Sequence, residues 1–186
     1  MFSLSIDSQN ELLRIARASI ECNLNEQFGN MVFACSTISD DELKVHAGAF
    51  VSVYVNGKLR GCLGQFESNL ILSELVGSLA VSASKNDLRF RPIAKAEFDL
   101  LGIEISVLTP PWNIHSIHEI ELGKHGIIVR KGNRSGTFLP QVAASTGWNL
   151  EEFLGYCSRD KAGLGWDGWK SADLFVYEAI VFSDFK

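Results

Sequence analysis

Apolar and small residues first take up a regular rhythm at Leu12, Ile15, Ala16, Ser19 and Ile20, the three-to-four spacing of one helix face. Ser8 followed by Glu11 forms a capping-box pattern at its head, so the spacing predicts a helix from Ser8 to about Asn25. From Phe33 to Gly48 the rhythm fades, and ISDDELKVHAG reads as a polar connection. FVSVYV, Phe50 to Val55, then switches to β-branched and aromatic residues with a period of two. Asn56-Gly57 follows, the pair best suited to a tight hairpin turn because both central positions need positive φ. KLRGCLGQF, Lys58 to Phe66, returns along it as a second strand.

A two-residue loop sets Val55 opposite Lys58, Val53 opposite Arg60 and Val51 opposite Cys62. In this register Arg60 and Cys62 project from the same face. Phe50, Tyr54, Leu59 and Leu63 load the other face, so the ribbon is expected to be covered on both sides. A guanidinium leaving water there needs a carboxylate, a carbonyl or an anionic ligand, or a place at a rim. Gly61 and Gly64 permit close backbone approach or a bulge, and a bulge would break the register.

Beyond Ser68 and Asn69, Leu72, Leu75, Val76, Leu79, Ala80 and Ala83 form a second helical stripe that runs out near KNDLRFRP. Glu97 to Leu108 reads as a strand with Ile103, Ile105 and Val107 on one face, stopped by Thr109-Pro110-Pro111. The segment after those prolines, 109–124, has little periodicity and is the expected boundary between two substructures of a single domain spanning 1–186. Gly126 to Arg130 is a short strand, KGNRSG a turn, and TFLPQV leads to a short helix. Asn149 with Glu152 starts another helix through about Tyr156, and Leu174 to Phe182 closes the chain as a strand. Neighbouring strands joined this tightly favour an α+β fold: antiparallel sheets with flanking helices.

Composition narrows the function. A chain of 186 residues, 46% hydrophobic and 21% charged, can bury a core without staples. Its net charge of -5 gives no broad basic field, so no nucleic-acid partner is expected. No apolar run is long enough for a bilayer and no leader opens the chain, which points to a cytoplasmic protein with no membrane partner. Cys22, Cys35, Cys62 and Cys157 lack a CxxC pair and read as reduced thiols rather than a structural zinc site.

LRGCLG at 59–64, DLRFRP at 87–92, HGIIV at 125–129, TFLPQVA at 137–143, GWNLEEFL at 147–154 and KAGL at 161–164 occur in order along nearly the whole chain. Together they resemble the AMMECR family, whose core motif commonly has isoleucine where this chain has Leu63. The resemblance implies an α+β fold of two unequal subdomains, with the LRGC motif lining a cleft between them. It also implies association with Memo-like and radical SAM proteins, the grouping called AmmeMemoRadiSam. It supplies no reaction and no cofactor, so the site residues rest on the motif and on chemistry.

On that chemistry Cys62 is the candidate nucleophile or thiol ligand, since a thiolate beside an arginine is favoured and glycines expose backbone amides. His125 is the candidate base. Arg60, Gly61, Gly64 and Arg89 are the candidate substrate-binding residues. Arg60, Arg89 and Arg91, with Lys131 and Arg134, could also present a surface for a small anionic ligand. Against the reactive reading, free cysteines are usually small core residues, and loop arginines are usually solvated charge. His115, His118 and His125 near Glu119 and Glu121 match no metal motif, and no metal is assigned. Trp148, Trp166 and Trp169 read as core. The alternative to chemistry is a non-catalytic adaptor or interaction module.

Overall fold

The computed structural model describes residues 3–25 and 41–185. Part of the polar connection from Phe33 onward, and Cys35 with it, lies outside the described residues. The strand pairings described below are antiparallel and helices accompany them, the α+β class that the pattern predicts. The chain divides into two compact units, 1–108 with 180–186, and 109–179.

In the larger unit, α1 (Ile6–Leu24) has its cap three residues before the expected Ser8. Ser5 is the N-cap and its side chain accepts from the Ser8 amide, while Ser8 lies inside the helix and donates its hydroxyl to Glu42. Glu11, assigned to the capping box, instead pairs with Arg14 one turn on. Strand β1 (Gly48–Val55) pairs with β2 (Lys58–Gln65) on one side and β3 (Leu101–Leu108) on the other. Asn56 and Gly57 take φ of 50° and 73°, the positive values that a tight turn demands. Helix α2 (Leu72–Lys85) buries all six residues of its stripe, Leu72, Leu75, Val76, Leu79, Ala80 and Ala83, against Ala49, Val51, Val53, Ile103, Ile105 and Val107. It takes Ile71 as its N-cap residue, with no side-chain cap from Ser68 or Asn69. A 3₁₀ segment, Lys95–Leu100, replaces the first part of the strand expected from Glu97.

In the smaller unit, β5 (His125–Lys131) pairs with β6 (Arg134–Phe138) and with the first part of β7 (Asp173–Ser183), and the short β4 (Trp112–Ile114) also pairs with that part of β7. Its core gathers Ile114, Ile127, Val129, Val176 and Ala143 of α3 (Pro140–Thr146) with Phe153 and Leu154 of α4 (Leu150–Tyr156). The Asn149–Glu152 capping box is present as read: the Asn149 side chain accepts the Glu152 amide and Glu152 accepts the Asn149 amide. Trp169 is buried in this core, Trp148 packs against it, and Trp166 lies on Gly155 with its outer edge exposed.

Candidate functional site

The hairpin carries a β-bulge that changes which groups meet. Val55 opposes Lys58 and Tyr54 opposes Leu59, but Val53 then opposes Gly61, Ser52 opposes Cys62 and Val51 opposes Leu63. Arg60 is the inserted residue and has no register partner. The expected pairs Val53–Arg60 and Val51–Cys62 are therefore corrected, and so is the shared face of Arg60 and Cys62. A bulge restarts the alternation one residue late, so Cys62 joins the face of Ser52 and Tyr54 while Leu63 takes the core place opposite Val51. Gly61 faces helix α2 at close range: a Cβ there would overlap the Ala83 carbonyl oxygen and sit 2.9 Å from its carbon. Gly64 faces the other way, where an added Cβ would run into the Phe50 ring.

Arg60 does acquire the partners that its half-buried position requires. Its Nη1 donates to Glu97 Oε1 at 2.6 Å and its Nη2 to the Arg91 carbonyl at 3.2 Å. Arg91 adds a second contact to Glu97 at 3.0 Å. The Arg60 bond first, then the Ala94 amide donating at 2.9 Å, and the charges of Arg60 and Arg91 hold the Glu97 carboxyl down at about 2.

Arg89 has a different task. Asp87, 6% exposed, accepts from Arg89 Nε at 2.9 Å and Nη2 at 2.6 Å, and from the Cys62 amide at 2.9 Å. Arg89 Nη2 in turn donates to the Cys62 carbonyl at 3.1 Å. The pair thus satisfies both backbone groups of Cys62 on the side of β2 away from β1. Arg89, followed by the other donors and opposed by burial, keeps Asp87 far below the usual carboxylate range.

Cys62 itself is partly exposed. Ser52 stands opposite it on β1 and Glu104 opposite Ser52 on β3, making one row across the three strands. Tyr54, two residues along β1 from Ser52, shares the face. Burial raises both the Glu104 carboxyl and the Tyr54 phenol above their ordinary values. Ser52, Tyr54 and Glu104 escaped the sequence reading because only the bulge brings Cys62 to their side. Cys157, by contrast, is buried and its thiol is pushed up to about 12.

His125 belongs to the smaller unit, Cys62 to the larger. The His125 ring is 7% exposed; its Nδ1 accepts the Glu121 amide at 3.1 Å, its Nε2 lies 3.8 Å from Glu178, and Trp112 packs edge-on at 5.5 Å. Among the described residues no group of three histidine, cysteine or acidic side chains could hold a metal. An open pocket of about 330 Å³ in the smaller unit is lined by residues including His115, Trp169 and Lys170, and not by His125. No helix among the described residues is long and apolar enough to cross a membrane.

A protein-family model described as AMMECR1 matches residues 13–182. The chain belongs to the AMMECR1 family. It is 43% identical over 148 residues to a protein of Methanopyrus kandleri, covering 74% of this chain and 71% of that one. It is 36% identical over 190 residues to a protein of Methanothermobacter thermautotrophicus, covering 97% and 96%. In structure it is similar to an uncharacterized protein of Pyrococcus horikoshii, with a TM-score of 0.81, 34% identity, and 92% of this chain and 89% of that chain covered.

Proposed function

We propose that this AMMECR1-family chain works through the Cys62 thiol, on the sheet face that it shares with Ser52, Tyr54 and Glu104. The observation that carries the reading is the bulge at Arg60: it lifts the thiol out of the valine core and sets it in a polar row. The Asp87–Arg89 pair supports the same reading, because two side chains fix the backbone of that one residue from both ends. The anion-binding alternative has less support, since Arg60 and Arg89 are each engaged by a carboxylate and a backbone carbonyl of the chain itself. A thiol on one face with a neighbouring phenol, and a carboxyl of raised proton affinity one strand beyond Ser52, suits capture of a ligand that spans the row.

The test is iodoacetamide labelling of the native protein across pH, with Cys22, Cys35 and Cys157 replaced and Cys62→Ser as the blank. Labelling of the folded chain at a rate comparable to the unfolded one is the expected result. Modification only after unfolding would sink the thiol reading and leave the adaptor. We further propose, on family membership and the motifs, that the chain acts beside Memo-like and radical SAM proteins. Sedimentation of the purified proteins singly and mixed checks this, and no complex in any pairing counts against it.

A further inference from the structure

We infer that the same sheet face binds a small organic cation, its ammonium group seated on Glu104 against the rings of Tyr54 and Phe185. The inference deepens the thiol reading by naming a ligand class, and it rests on that reading only for the choice of face.

In the larger unit Glu11 pairs with Arg14, Asp41 with Lys44, Asp87 with Arg89, Glu97 with Arg60 and Arg91, and Asp184 with Arg17. Asp7, Glu21, Glu67 and Asp99 are exposed to water, Glu42 accepts from Ser5 and Ser8, and Glu74 lies in the first turn of α2. Glu104 is half-buried in the middle of β3 and has no basic partner among the described residues. Its neighbour on the same face is the phenol of Tyr54, which brings no positive charge. A carboxylate drawn partly out of water without a cation is costly, and a bound cation would offset that cost.

The walls around it are aromatic. The Tyr54 and Phe185 rings lie 4.9 Å apart at 55°. Phe185 lies across Gly102, where an added Cβ would come within 2.6 Å of its Cδ1. Gly102 opposes Tyr54 and is two residues from Glu104, so the ring covers the strand beside the carboxylate. Further along the same face Phe50 and Phe66 meet edge to face at 5.4 Å. Ring faces carry negative quadrupole density, and a carboxylate among them selects alkylammonium over anions and neutral ligands.

The full chain is tested by its thermal midpoint in tetramethylammonium, choline and butylammonium chlorides, against sodium chloride and sodium acetate at equal concentration. The organic cations should raise the midpoint above the sodium chloride value, by equal steps for each tenfold increase beyond their Kd. Glu104→Gln should remove that ligand response whatever its effect on basal stability, Phe185→Leu should weaken it, and Cys62→Ser should keep it. Equal response to sodium, an unchanged response in Glu104→Gln, or stabilisation by acetate alone would overturn the proposal. The two readings fail separately: an inert Cys62 with a Glu104-dependent cation response removes the thiol and keeps the cation site. A reactive Cys62 with no cation response does the reverse.

Discussion

Gly61→Ala tests the bulge directly. The new methyl group would overlap the Ala83 carbonyl oxygen, with Ala83 C at 2.9 Å and Cα at 3.5 Å. These are backbone atoms of the last turn of α2, so no rotamer change relieves the contact. Strand β2 and helix α2 must separate by about 1 Å, and a gap of that size forfeits roughly a quarter to a half of each dispersion contact across it. Ala80 and Ala83, both 0–1% exposed on α2, and the Val51–Leu63 pair lie along that seam. Overpacking a well-filled core typically costs about 1–3 kcal/mol, and a backbone-on-backbone clash belongs at the upper end, so the expectation is a loss of about 3 kcal/mol. Urea denaturation of wild type and variant measures it from the shift in midpoint at constant slope. Ala83→Gly should not rescue Gly61→Ala, because the obstruction is the carbonyl and not the Ala83 methyl. A loss below about 1 kcal/mol, or a rescue by Ala83→Gly, would refute the bulged register and with it the face assigned to Cys62.

Acid should destabilise the larger unit through Asp87 and Glu97. Both carboxyls fall below their ordinary values of 3.8 and 4.5 in the folded chain, so their stabilisation is fully present above those values and is lost as pH falls through the folded ones, about 2 for Glu97. The thermal midpoint should therefore decline steadily below about pH 4.5, and Asp87→Asn should flatten that decline while costing about 3 kcal/mol at neutral pH, because it strips the charge partner of Arg89 and an acceptor from the Cys62 amide. A decline as steep in Asp87→Asn as in wild type would contradict this. In the smaller unit Tyr177→Phe should cost about 1–2 kcal/mol in urea, since the fully buried hydroxyl donates to the Phe138 carbonyl at 3.1 Å and meets Thr137 Oγ1 at 3.0 Å; an unchanged midpoint would argue against that bond.

What the sequence disclosed follows the range of the forces involved. The Asn56-Gly57 turn and the Asn149–Glu152 box are legible because all their partners lie within a few residues. Helix α1 shows the limit of the same logic: Ser5 and Ser8 can both cap, and the choice falls to Ser5 because Ser8 reaches Glu42, 34 residues away. The bulge is harder still. Inserting Arg60 moves Cys62 to the opposite face, yet Gly61 carries no side chain to reveal which way it points. The hints were the glycines that permit a bulge and Leu63, an apolar residue that suits the place opposite Val51 better than a cysteine does. Glu104 was invisible for a different reason. Between Ile103 and Ile105 it reads as the solvent side of an alternating strand, and the ring that lies over that strand at Gly102 arrives 81 residues later at Phe185. The motif LRGC thus pointed to β2 but implied other neighbours for its cysteine than the bulge gives it. Its arginine secures Glu97 and the Arg91 carbonyl, and the cysteine keeps company with residues that no local pattern connects to it.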